Sequence, residues 1–181
     1  MNNIKILVDS GSDLSLEYCK KYDITIVPLN LQIEGRTVSD DGHFDAAKYC
    51  EYLKVAPQVP KSAQPSPQAF LDCYRRFSDR EHIIVITMSA KASGTHQSAV
   101  LARDLFEEEN KSCRIHVVDS ASTSFAISML AFHAAQMRQN GLPATEIVAQ
   151  LVEDCGVGVI PNDEPEKGQS ETVRRGTIHL K

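Results

Sequence analysis

No apolar run in this 181-residue sequence approaches the roughly 18–20 residues that a membrane-spanning helix needs. The opening stretch MNNIKILVDSGSD carries one Lys and only a short apolar segment before Asp9, too little for the core of a secretion signal. Stable membrane insertion is therefore not expected. Cysteine is sparse and poorly spaced for disulfides or zinc: Cys19, Cys50, Cys73, Cys113 and Cys155 are odd in number and contain no C-x-x-C. That usage fits a reducing cytoplasm. Basic charge is also short, with 19 Lys and Arg against 24 Asp and Glu for a net −5, so the chain lacks the cationic surface that nucleic-acid binding uses. Nucleic acid is not an expected partner. Three catalytic or cofactor signatures are missing as well: G-x-G-x-x-G, G-x-x-x-x-G-K-[ST] and the nucleophile elbow G-x-S-x-G. No cofactor or metal ion is expected.

What remains is a composition near the globular average, 42% apolar and 24% charged, on a length suited to one main domain. Short apolar runs alternate with longer segments of helical period, which predicts an α/β fold with a largely parallel sheet and flanking helices. Ile4–Val8 reads as the first strand and Leu14–Cys19 as a short helix with Ser12 or Asp13 as its N-cap. The second strand starts at Ile24, is disturbed at Pro28 by an edge or bulge, and resumes to a turn at Glu34-Gly35-Arg36, a ribbon expected to cross to another side of the domain. A helix is predicted over Phe44–Val55. The proline-rich stretch 57–67 is predicted as an ordered loop with no regular ladder, and Ser66-Pro67 opens the next helix. His82–Thr87 and Arg114–Val118 read as buried strands, each leading through a polar loop into a helix, and Ala144–Cys155 as the last helix. Residues 156–181 lose the pattern and are predicted to form an irregular, mobile tail.

Three strands thus end in hydroxyl-rich loops: Asp9-Ser10-Gly11-Ser12, Ser89–Thr95 and Asp119–Ser124. Parallel strands place these loops on one rim. There, free N–H groups at helix starts favour a small anion, either a carboxylate or a simple phosphate. Each loop taken singly also reads as an ordinary helix cap worth about 1 kcal/mol.

The same loops carry a resemblance. Val8-Asp9-Ser10-Gly11-Ser12-Asp13-Leu14, Ser62-Ala63-Gln64-Pro65-Ser66-Pro67, Ser93-Gly94-Thr95-His96-Gln97-Ser98-Ala99 and Val118-Asp119-Ser120 stand in the order of the DS-x-SDL, TSQPSP, SGTYQSA and VDS motifs. The chain resembles the N-terminal part of the DegV family of bacterial fatty-acid-binding proteins. That resemblance implies a carrier, not an enzyme. It holds a long-chain fatty acid in an apolar tunnel and presents the acyl carboxylate to a separate fatty-acid kinase subunit. It also implies Ser62, Ser93, Gly94 and Thr95 as carboxylate ligands, with Ser10, Asp119 and Ser120 as weaker candidates. Residues 1–155 then correspond to the DegV-type lipid-binding domain. The family's second domain is expected to be missing, with binding weakened in consequence. Ala126 and Ser128 stand where the family has glycine, narrowing the approach of that helix to the ligand.

A second reading is a small-molecule hydrolase or phosphoryl-transfer enzyme at the same rim, with His96 as base for a serine or Asp9 and Asp119 around Mg²⁺. The simpler roles are a rim histidine and two capping aspartates.

Overall fold

The computed structural model describes residues 3–33, 35–43 and 46–156. The strands are β1 (Ile4–Asp9), β2 (Ile24–Val27), β3 (Asn30–Ile33), β4 (Arg36–Ser39), β5 (Lys61–Ala63), β6 (His82–Thr87) and β7 (Arg114–Asp119). The helices are α1 (Leu16–Lys21), α2 (Ala46–Val55), α3 (Pro67–Arg76), α4 (Thr95–Glu109), α5 (Phe125–Gln139) and α6 (Ala144–Cys155). β2, β1, β6 and β7 pair in that order as an all-parallel sheet. β4, β3 and β5 form a small antiparallel sheet.

The parallel sheet is apolar on both faces because helices cover both. Ile4, Ile6, Val8, Ile84 and Ile86 pack with α5 and α6 through Ile127, Ala131, Ala135, Ile147 and Leu151. Leu7, Ile83, Val85 and Ile115 pack with α3 and α4 through Phe70, Tyr74, Ala99, Ala102 and Phe106. Ala99, Ala102 and Phe106 recur at the spacing of one helix face, and the two alanines let α4 lie close to α3 and the sheet. The Tyr74 hydroxyl, fully buried, donates to the Ala99 carbonyl at 3.1 Å and ties α3 to α4. α5 is apolar all round, as its sequence indicated. Its inner face is buried, whereas Phe125 and Met129 are 68% and 47% exposed.

Three local expectations are corrected. Neither Ser12 nor Asp13 caps α1. Asp9 caps a 3-10 turn at Ser10–Ser12, Asp13 ends that turn with φ 55°, and Ser15 is the N-cap of α1. At Pro28 the edge alternative holds, since β2 is an edge of the parallel sheet, but the same strand does not resume: β3 belongs to the other sheet. Proline cannot donate to a ladder, so the chain changes partners there. The proline-rich stretch does contain a ladder, since β5 pairs with β3 at Asn30–Ala63, Leu31–Ser62 and Gln32–Lys61. Its prolines flank the three paired residues and leave their N–H groups intact. The Ser66 cap with Pro67 in the first turn forms as expected. The expected start of α2 at Phe44 and the tail beyond 156 lie outside the described residues.

Candidate ligand site at the carboxyl rim

Parallel pairing brings the ends of β1, β6 and β7 side by side, so the three polar loops share one rim. A fully buried carboxylate links two of them. Asp9 accepts from Gly11 N–H at 2.9 Å and from Met88 N–H at 2.6 Å. Burial raises its carboxyl to about 6 although both N–H bonds act the other way. Gly11 is needed for close approach, since a Cβ there would lie 2.5 Å from Met88 Cε and 2.9 Å from Asp9 Oδ1. The third loop joins through Asp119 Oδ1, which accepts from Ala90 N–H at 3.1 Å and Ala121 N–H at 2.9 Å. Ser89 N–H donates to the Ser122 carbonyl at 2.8 Å. Both aspartates therefore serve backbone donors. Among the described residues, no group of three or more His, Cys, Asp or Glu is placed to hold a metal ion.

The hydroxyls divide into two sets. Ser10 Oγ accepts from Leu29 N–H at 3.0 Å, and Ser120 Oγ donates to the Ser122 carbonyl and accepts from Ser122 N–H. Both are buried and bonded within the protein. At the start of α4, Ser93 Oγ is half-buried, lies 2.9 Å from Thr95 Oγ1 and accepts from Thr95 N–H at 3.2 Å. The N-cap is Gly94, which has no side chain to offer the helix. Ser62 is exposed on β5.

The β5 segment and the start of α4 meet through a residue that sequence reasoning left out of the site. Gln64 Nε2 donates to Ser98 Oγ at 3.0 Å, and its carboxamide lies across Gly94, where a Cβ would come 2.1 Å from Oε1. The side of Gly94 that a side chain would fill is therefore occupied by Gln64. The available signal was a glycine just before a helix, with a glutamine in a neighbouring motif.

His96 Nδ1 pairs with Thr87 Oγ1 at 3.0 Å, and Ser93 pairs with Thr95. Burial lowers the His96 pKa. Of the two α5 positions where the resemblance implied glycine, Ala126 is exposed, and Ser128 is buried with its hydroxyl donating to the Ser12 carbonyl at 2.5 Å. Ser124 enters α5 at φ 58° and binds the Asp13 carboxylate through its hydroxyl. No helix among the described residues is long and apolar enough to cross a membrane.

Residues 3–154 match the family model described as "Uncharacterised protein, DegV family". A fatty acid-binding protein from Thermotoga maritima is 34% identical over 154 residues, covering 83% of this chain and 52% of that protein. A crystal structure of a DegV-family protein from Ruminococcus gnavus, with vaccenic acid, superposes with a TM-score of 0.79 at 29% identity. The match covers 86% of this chain and 55% of that one. The Streptococcus pneumoniae fatty acid kinase (Fak) B3 protein loaded with linoleic acid gives a TM-score of 0.72 at 27% identity, over 84% and 54% of the two chains. The chain spans about half the length of the curated relatives it matches. With the family model spanning the parallel sheet and every rim loop, this chain belongs to the DegV family.

Proposed function

We propose that this chain binds a long-chain fatty acid, with the carboxylate held at the rim by the hydroxyls of Ser62, Ser93 and Thr95, and presents it to a separate kinase. The observation that carries the reading is the seat of Gln64 on Gly94, which joins the Ser62 segment to the Ser93–Thr95 turn. Neutral hydroxyls beside a helix N-terminus suit a carboxylate, which gains donors and a positive dipole end without a fixed cation. On this reading the chain is a carrier and performs no chemistry itself. The fatty-acid-loaded Ruminococcus and Streptococcus neighbours support the ligand class. The name of the Streptococcus protein supports the kinase partner. Residues 1–155 form the lipid-binding unit in this proposal.

The direct test is mass spectrometry of ligands extracted under mild conditions from the purified chain, with co-purified acyl chains expected and their absence counting against a carrier. Ser93→Ala is expected to weaken oleate binding by about 1.5–3 kcal/mol, the worth of a hydrogen bond to a charged acceptor. Loss of the internal bonds to Thr95 is expected to lower stability by only about 1 kcal/mol. Unchanged affinity in a calorimetric titration removes Ser93 from the site. At the neighbouring segment, Ser62→Thr is expected to bind as the parent does, because the hydroxyl is retained. Ser62→Val has the same shape as threonine without the donor and is expected to lose affinity. Equal binding by the two variants shows that Ser62 is not a ligand.

A further inference from the structure

β5 is a three-residue edge strand whose residues are all exposed, so its ladder to β3 holds the Ser62 hydroxyl only weakly in place. On its far side, Pro65 is buried and Ser66 caps α3. Between these anchors, Gln64 makes the one side-chain hydrogen bond found among the described residues that joins the 61–65 segment to α4. Gly94 has an ordinary φ of −75°, which any residue adopts, so backbone conformation does not call for glycine there. Space does: a Cβ would fall 2.1 Å from Gln64 Oε1 and 2.7 Å from both Cδ and Nε2. Glycine at this position thus leaves the room that the carboxamide of Gln64, itself exposed to solvent, takes up.

We infer that Gln64 is a positioning residue: its carboxamide, laid across Gly94 and bonded to Ser98, sets the separation between the Ser62 hydroxyl and the Ser93–Thr95 pair. The inference rests on the carboxylate reading above. Gln64 acts through Ser62 and Ser93, and the glycine keeps the gap closed. Gly94→Ala displaces only the end of a flexible side chain, so it is expected to leave the fold intact while unseating the loop.

The test uses the full chain, oleate titration, and limited trypsin digestion without ligand, read at the bond after exposed Lys61. Gln64→Ala is expected to weaken oleate roughly tenfold, the loss of about one hydrogen bond's positioning, and to speed cleavage after Lys61. Gly94→Ala is expected to do the same in the parent and to add little in the Gln64→Ala background, where its Cβ has nothing left to displace. In Gln64→Glu, the Ser98 hydroxyl can donate to the new carboxylate. Lys61 should therefore stay protected while oleate is repelled and binding of neutral oleyl alcohol is unchanged. Parent-like oleate affinity in Gln64→Ala, unchanged cleavage after Lys61, or full additivity with Gly94→Ala each overturns the assignment. A parent chain that fails to bind oleate overturns the carrier reading and Gln64's role toward a carboxylate. The digestion separately decides whether the latch exists.

Discussion

Asp23→Asn is expected to lower the unfolding free energy by about 2–4 kcal/mol, although Asp23 itself lies at the surface. Lys5 points from near the start of β1 into the α3 side of the sheet and is 3% exposed. Its Nζ donates to the Asp23 carbonyl at 3.0 Å and to the Asp23 carboxylate, and it sits 4.7 Å from the Phe77 ring centre. Arg138, at the end of α5 and 10% exposed, donates to the carbonyls of Ile4, Tyr22 and Asp23, with Nη1 3.8 Å from Asp23 Oδ2. Removing the shared carboxylate leaves two buried cations facing each other. Breaking a fully buried pair costs about 3–5 kcal/mol, and water reaching the half-exposed Asp23 side chain reduces that loss. Asparagine is chosen because Asp23 has φ 46°, a conformation it tolerates, so backbone strain does not enter. Adding Lys5→Met is expected to restore much of the loss by removing the orphaned charge. Urea unfolding of both single variants and the double checks this. An Asp23→Asn midpoint equal to the parent's shows that the cluster contributes no net stability.

The second expected result is that a buried carboxyl and a half-buried imidazole oppose each other between pH 4 and 6. Asp9 has a folded-state pKa raised from 3.8 to about 6, chiefly by burial. Its contribution is fully present below 3.8 and is lost as pH rises through 6. His116 is pushed from 6.5 down to about 4 by burial first, then by His82, 3.1 Å away across β6 and β7, and by Arg114. Its contribution is present above 6.5 and is lost as pH falls through 4. In the parent the two slopes therefore partly cancel. His116→Gln is expected to uncover the Asp9 slope, with stability falling by about 2–3 kcal/mol from pH 4 to 6. Asp9→Asn is expected to uncover the opposite slope, with a loss of about 1–2 kcal/mol from pH 6 to 4, discounted for the water that reaches His116. Unfolding free energies at pH 4, 5, 6 and 7 check both. Profiles parallel to the parent's overturn the assignment of these groups.

Local rules made much of the fold legible. Ile83–Ile86 is apolar at every residue and lies at the centre of a sheet covered on both faces. Ser66-Pro67 starts a helix because the hydroxyl takes the Ala69 N–H and proline has no N–H to satisfy. The rim followed from parallel strands alone, and with it the nearness of the loops that carry Asp9, Ser93 and Asp119. Pro28 announced a break and the ribbon's departure to another side of the domain but not its new partners, because a missing donor forbids one ladder without choosing the next.

By itself, then, the sequence determined the α/β alternation, the Ser66-Pro67 helix start and the shared rim, because hydrophobic period and capping chemistry act over a few neighbouring residues. It also carried the ordered motifs that place the chain in its family. Only the tertiary structure decided that β3 and β5 leave the main sheet to form a second one, and that Lys5 is buried against a surface aspartate 18 residues away. It alone decided that Gln64 lies across Gly94 and bonds to Ser98, 34 residues further along the chain. These contacts depend on how α3 and α4 pack on the sheet, and no local period records which side chains that packing brings face to face.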